Sequence, residues 1–230
     1  SIVISGNHID MTHRGNANAD GMYLYYGHNT IFSENYIHAP DYGAYIYRAT
    51  DYAPLNRKEQ IINNMIISDS DYGLYLYYLD SVDVFHNSIS VRGTTPALYI
   101  YSSTSVDVEN YDVRNNIFDG GSASAFYSNQ PITLFDMWDY NLYYTSGTDL
   151  VEIDGTVYVD LASLQLSYPT FNSRSIQSEP VFVSPTDLHY DGYVVNNIGD
   201  NTVGVSTDID GDSRPFPTDP TVDIGADEFL

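Results

Sequence analysis

Two short motifs alternate along the first two thirds of the chain, and this alternation restricts the fold more than any other feature. The first motif has an apolar residue, two variable residues, an Asn, one variable residue, then a second apolar or aromatic residue. It occurs as Ile4/Asn7/Ile9, Phe32/Asn35/Ile37, Ile61/Asn64/Ile66, Val84/Asn87/Ile89, Val113/Asn116/Phe118 and Trp138/Asn141/Tyr143. Consecutive Asn copies stand 23 to 29 residues apart. The second motif begins with Gly or Ala and then alternates: Gly21-Met-Tyr-Leu-Tyr, Gly43-Ala-Tyr-Ile-Tyr, Gly73-Leu-Tyr-Leu-Tyr, Ala97-Leu-Tyr-Ile-Tyr and Ala125-Phe-Tyr-Ser-Asn. Strict alternation over so few residues marks a short strand with one buried face. Two strand motifs per repeat, with no helical period between them, describe the rungs of an all-β solenoid stacked about 4.8 Å apart.

Stacking turns motif positions into columns. Leu24, Ile46, Leu76 and Ile100 are expected to line the interior, beside Met22, Ala44, Leu74, Leu98 and Phe126. The six Asn are expected to form a ladder at one turn, because Asn tolerates left-handed backbone and its amide can bond the amides above and below. Turn-rich stretches such as Asp69-Ser-Asp-Tyr-Gly and Asp119-Gly-Gly-Ser mark corners. Polar corner insertions near residues 10–20, 49–60 and 102–112 account for the unequal spacing. The parity that points the aliphatics inward sends Tyr23, Tyr45, Tyr75, Tyr99 and Tyr127 outward in one column and Tyr25, Tyr47, Tyr77 and Tyr101 in another.

Charge narrows the partners. Eight Lys and Arg against 31 Asp and Glu give a net charge of −23. That argues against nucleic acid, which needs clustered cations, and against anionic membrane surfaces. It suits a salty exterior or the gathering of divalent cations. With no Cys, disulfide and thiolate chemistry are excluded. No apolar run is long enough for membrane insertion. The opening Ser-Ile-Val-Ile-Ser-Gly already reads as strand, so any export signal is expected upstream.

The repeats resemble the parallel β-helix repeat of secreted bacterial proteins. The tail resembles that family's ending more specifically, through Asp139-Tyr-Asn-Leu-Tyr-Tyr144, Glu179-Pro-Val-Phe-Val183, Asp187-Leu-His189, Thr207-Asp-Ile-Asp-Gly-Asp-Ser-Arg-Pro215 and Asp223-Ile-Gly-Ala-Asp-Glu-Phe229. Where such tails usually carry a small-residue segment of the Ser-Pro-Ala-Ile type, this chain has Asp191-Gly-Tyr-Val-Val-Asn-Asn. That departure bears on cap packing and not on the fold. The resemblance implies a right-handed parallel β-helix with a C-terminal cap, rungs over residues 1–144 and a capping region over 145–230. It also implies an extracellular location, secreted or on the outer cell surface of a Gram-negative bacterium, with type IX secretion cargo as one setting. Activity is not implied, because the family mixes polysaccharide lyases, glycosidases and adhesins.

Candidate sites follow from residue chemistry. Tyr23, Tyr25, Tyr45, Tyr47, Tyr75, Tyr77, Tyr99 and Tyr101 form a candidate strip for polysaccharide or cell-surface glycan, since flat rings stack on sugar faces. The alternative is structural, because Tyr favours strands and aromatic neighbours stabilise a sheet. Asp41 and Asp71 both precede the Gly of consecutive rungs by two residues and are candidate catalytic carboxylates, or a calcium cluster with Asp20 and Asp69. Ordinary corner chemistry is the competing reading. A lyase needs cations, yet Lys58 is the only Lys, and Arg92 and Arg114 sit near different corners. The six His lack ligand spacing and read as isolated surface residues, with His13 and Arg14 as possible cleft groups. Asp208, Asp210 and Asp212 hint at a calcium loop without matching the EF-hand pattern; alternatively, Arg214 pairs with Asp223 or Glu228. Asp160-Leu-Ala-Ser-Leu-Gln-Leu reads as a short helix capped by Asp160, and the region 145–230 is expected to cover the open end of the solenoid. The leading expectation is a non-catalytic adhesive or stalk module joined to upstream rungs of the same protein. A carbohydrate-active enzyme and a plain structural spacer are the alternatives.

Overall fold

The computed structural model describes residues 2–25, 29–47, 58–103 and 108–229. Three long sheets run along the molecule. The first contains Ile2–Ser5, Thr30–Ser33, Glu59–Ile62, Val82–Phe85, Tyr111–Arg114 and Phe135–Asp139. The second contains His8–Asp10, Tyr36–Ala39, Met65–Ser68, Ser88–Val91, Ile117–Asp119, Leu142–Tyr144 and Ile176–Gln177. The third contains Met22–Tyr25, Ala44–Tyr47, Leu74–Tyr77, Leu98–Tyr101, Phe126–Ser128 and Val151–Ile153, closed by the antiparallel strand Thr156–Tyr158. All other pairings within these sheets are parallel, as in a β-helix.

Each repeat therefore has three strands where the motifs suggested two. The Asn motif straddles a corner: its first apolar residue is the last but one of a first-sheet strand, and its last is the second residue of a second-sheet strand. The left-handed residue there is not the ladder Asn but the one before it. Gly6, Glu34, Asn63, His86, Asn115 and Tyr140 have φ of 54° to 67°. Of the expected insertions, residues 49–57 and 104–107 lie outside the described residues, while 12–14 form a 3-10 turn.

The ladder itself is continuous. Each Asn amide donates from Nδ2 to Oδ1 of the next Asn at 2.9 Å, from Asn7 through Asn141. The same Oδ1 also accepts the preceding Asn's backbone N–H at 2.9 to 3.1 Å. At the last rung Ser175 takes over, its Oγ accepting from the Asn141 N–H at 3.0 Å. Asn35, Asn64, Asn87, Asn116 and Asn141 are all fully buried. In an apolar interior these bonds satisfy groups that would otherwise be costly.

The core is built from axial columns. Ile4, Phe32, Ile61, Val84, Val113 and Trp138 align on the first sheet. Ile9, Ile37, Ile66, Ile89, Phe118 and Tyr143 align on the second. The small residue opening the third-sheet motif has a steric cause: a Cβ on Gly43 would stand 2.5 Å from the Gly73 carbonyl oxygen and 2.4 Å from Ile66 Cγ2.

The core ends in aromatics and a lid. Phe118, Phe126, Phe135, Trp138 and Tyr143 cluster at the C-terminal rungs. The helix Leu161–Ser167 closes over them with Leu161 and Leu164, and Asp160 caps it by accepting from the Ser163 N–H at 2.7 Å.

Residues 178–229 do not join that lid. They turn back and lie on the outer face of the second sheet. Tyr190, Val195 and Ile224 pack on Ile117 and Leu142, while Leu188 and Ala226 pack on Met65 and Ile67. The reason is in the strands. Tyr36, Met65, Ile67, Ile117 and Leu142 put apolar groups on the outside of this sheet as well, and that surface needs cover. Backbone and side-chain bonds pin the tail there: Gly225 N–H to the Asn115 carbonyl at 2.8 Å, Ala226 N–H to Ser88 Oγ at 3.0 Å, and Asn63 Nδ2 to the Thr207 carbonyl at 2.6 Å. Arg214 and Glu228 form a fully buried pair at 2.9 Å that locks the tail to itself.

Two predictions follow from this architecture. Asn87→Ala removes the acceptor of the buried Asn64 N–H and Nδ2 and the donor to Asn116 Oδ1 and to the Ile61 and Phe85 carbonyls, so it is expected to cost about 3 kcal/mol or more by chemical denaturation, against about 1 kcal/mol for the exposed Asn7→Ala; equal costs would deny the ladder its role. The second concerns pH. Burial pushes Asp223 up to about 7 from 3.8, and Glu228 adds to the rise against the pull of two backbone N–H groups and Arg214. Burial likewise raises Asp83 and Asp119. A carboxyl raised in the folded state contributes stability that is complete below its unfolded pKa and is lost as pH rises through its folded pKa. The melting temperature is therefore expected to increase from about pH 8 to about pH 5, with a shallower slope in Asp223→Asn. A decrease over that window would contradict the assignment.

Candidate functional site

The third sheet carries the tyrosines in register. Tyr23, Tyr45, Tyr75, Tyr99 and Tyr127 are direct axial partners, as are Tyr25, Tyr47, Tyr77 and Tyr101. Strand spacing brings rings on adjacent rungs into contact. Tyr23 and Tyr45 stack with centroids 4.4 Å apart, and Tyr99 and Tyr127 stack at 4.5 Å with planes 5° apart. Tyr47 and Tyr77 stack at 5.0 Å, whereas Tyr75 meets Tyr45 and Tyr99 edge to face. The rings thus use much of their apolar area on one another. Tyr23 and Tyr25 keep 51% exposure, but Tyr45 keeps only 8% and is a buried member of the stack, not part of an open strip.

A third tyrosine column escaped the sequence reading. Tyr42 and Tyr72 lie 5.6 Å apart beside the first column, and Tyr72 reaches Tyr99 at 4.4 Å. The recurrence of Asp-Tyr-Gly at 41–43 and 71–73 was the available signal. Its Asp members are the acidic corner. Asp41 and Asp71 interact, with Asp20 close to both; burial first and these like charges next raise Asp41, and burial raises Asp71. Asp69 is drawn elsewhere, accepting from Arg92 at 2.7 Å beside His38 Nε2 at 3.0 Å.

The phenols are held protonated. Burial raises Tyr45, Tyr75 and Tyr99, with neighbouring tyrosines adding to each. Tyr42 is pushed up to about 12 by burial and then by Asp71. These groups present O–H donors at neutral pH and are poorly suited to act as bases.

Beside the columns lies a groove of about 410 Å³, with Tyr72, Tyr99 and Tyr127 on one side and Ser124, Asp149 and Glu152 among its polar lining. Glu152 is the axial partner of Tyr127, so the first column ends on a carboxylate. The groove combines aromatic wall, hydroxyls and carboxylates, with no Lys, Arg or His among the described residues that line it.

Among the described residues, Arg92, Arg114 and Lys58 are engaged elsewhere. Arg92 donates to Asp69 and to the Pro185 carbonyl, and Arg114 binds Asp112 through two nitrogens and Asp200 at 2.7 Å. Both fasten the tail. Lys58 pairs with Asp83 at 3.0 Å. His13 points to solvent, at 91% side-chain exposure. Two histidines depart from the expected surface placement: His86 is fully buried, where desolvation keeps it neutral, and His38 is 5% exposed.

In the tail loop, Asp208 Oδ1 accepts the Asp210 and Asp212 N–H groups and Oδ2 accepts the Glu228 N–H. Asp208 therefore shapes the loop, while the Asp210 carboxylate turns to His189. No helix among the described residues is long and apolar enough to cross a membrane.

Comparison with known proteins agrees with the rung geometry. No curated protein and no solved structure matches the chain significantly. The family model for the right-handed β-helix region matches residues 1–138, more than half of the chain and nearly all of its parallel rungs. Three parallel sheets, an internal Asn ladder and this match place the chain in the right-handed β-helix family.

Proposed function

We propose that the chain is a non-catalytic extracellular module of a larger secreted or cell-surface protein, an adhesive or stalk element that holds polysaccharide along its third sheet. One observation carries the reading. The tail covers the outer face of the second sheet, while the third keeps part-exposed tyrosines beside a carboxylate-bearing groove. Tyrosine edges and hydroxyls at rung spacing offer repeating donors to a repeating polymer. Glu152 and Asp149 would accept from sugar hydroxyls, and Tyr127, the last ring of the first column, would meet the apolar face of a sugar ring. The described lining of the groove carries carboxylates and no cation, which favours neutral glycans over uronates. Export from a Gram-negative cell, for instance by type IX secretion, accords with the resemblance of the tail.

The open edge supports a place within a longer solenoid. Ile4, Ile9, Met22 and Leu24 of the first rung are only partly buried, whereas Phe32, Ile37, Ala44 and Ile46 above them are at most 2% exposed. Further rungs of the same protein would complete their cover.

A second reading, a glycoside hydrolase, rests on Asp41 and Asp71 on adjacent rungs, both raised above the usual carboxylate value chiefly by burial, since a raised carboxyl beside a second one is the arrangement of that chemistry. The readings separate on immobilised and soluble polysaccharides. Adhesion predicts retention on neutral polymers such as xyloglucan or galactomannan, weak retention on polygalacturonate, and unchanged polymer size. Tyr127→Ala with Glu152→Gln is expected to lower retention about tenfold or more while the circular dichroism stays unchanged. Falling polymer size, abolished in Asp71→Asn, would instead establish the hydrolase. No retention on any polymer and no cleavage would leave the spacer role.

A further inference from the structure

Three separate segments of the tail bring their side chains to one point. The strand Asp187–Tyr190 supplies His189, the loop after Thr207 supplies Asp210, and the C-terminal segment supplies Asp227. One ligand atom from each lies within 4.8 Å of the others. His189 Nε2 stands 2.9 Å from Asp210 Oδ2, and its other ring nitrogen, Nδ1, bonds to Asp187. Asp227 is only partly exposed; Oδ2 accepts the Tyr190 N–H at 3.2 Å, and it forms no salt bridge among the described residues.

The charges do not balance with protein groups alone. Asp187, Asp210 and Asp227 surround one imidazole. Even as imidazolium, His189 offsets a single negative charge of the three, and Arg214 is already bound to Glu228. A divalent cation on Nε2 would offset two more carboxylates. It would also leave Nδ1–H donating to Asp187, the carboxylate–histidine–metal relay that orients metal-bound imidazoles. A tetrahedral ion would draw the three ligand atoms to about 3.3 Å of one another, a closure within the reach of side-chain torsions.

We propose that His189, Asp210 and Asp227 bind a zinc-type divalent cation that clips the tail to itself over the second sheet. The donor set selects the metal class. One imidazole nitrogen with two carboxylates suits zinc, whereas calcium takes six to eight oxygens and the cluster does not offer them. An entry path exists: a cavity of about 650 Å³, lined by His8, Glu34, Tyr36, Asp187, His189 and Asp210, opens beside the site and leaves room for a water as fourth ligand. The role is structural, because the ligands come from three segments that no strand pairing joins into one sheet.

The test is a titration of chelator-treated protein with zinc chloride, followed by calorimetry and thermal melting. One zinc per chain is expected. At zinc roughly a hundredfold above Kd, the melting temperature is expected to rise by about 5 °C or more. Asp210→Asn, at an exposed position, and His189→Gln are each expected to remove both effects, with an unchanged circular dichroism spectrum of Asp210→Asn as the control for folding. Three results would overturn the site: no zinc binding, zinc binding unchanged in both variants (adventitious histidine capture), or an equal rise with calcium chloride.

Discussion

The buried chain of Asn amides is the constraint on which the rest of the molecule depends. From Asn35 to Asn141 each member is held by the rungs on both sides, so the corner between the first and second sheets cannot slip by a residue without breaking bonds in a dry interior. A fixed corner fixes the register of both flanking sheets, and the third sheet inherits the same axial rise. Repeat length can vary from 23 to 29 residues because the variation is confined to the other connections. The tyrosine stacks are a consequence. Rings 4.4 to 5.0 Å apart need strands that stay in register over five rungs.

The solenoid then divides its outer surface between two tasks. On the second sheet, outward Met65, Ile67, Ile117 and Leu142 recruit the tail, and Arg92 and Arg114 reach from the rungs to hold it. On the third sheet, the outward residues are amphipathic tyrosines that tolerate water at one end and pack at the other. The same allocation bears on chemistry. Among the described residues, Arg92 and Arg114, cations that a uronate-cleaving enzyme would want in its groove, are engaged in structural ion pairs, and the Asp71 carboxylate meets the Thr95 hydroxyl and the Tyr42 phenol.

Much of this was legible in the sequence, and the boundary of what was legible is physical. Columns and ladder are local patterns repeated at a readable period, so Asn64 or Leu76 could be placed without coordinates. The third strand per repeat was not visible, because Ile61 and Ile66 look like one strand when a left-handed Asn63 in fact breaks it. The return path of the tail was also hidden. It depends on outward apolar residues of the second sheet, and their excess over simple alternation was the only signal. His189, Asp210 and Asp227 meet through the tertiary fold, so no spacing rule joins them. For Tyr45, parity gave the outward direction correctly but could not show how far its neighbours would cover it.

The central claim is that one face of an Asn-pinned solenoid is closed by the tail and the other is open to glycan. Hydrogen exchange with and without a neutral oligosaccharide tests it most directly, because it reads every rung at once. The account predicts slow, ligand-independent exchange at Asn35 through Asn141, with added protection confined to the segments around Tyr99, Tyr127 and Glu152. Added protection on the second sheet or the tail, or none anywhere under conditions in which retention is measured, would contradict it.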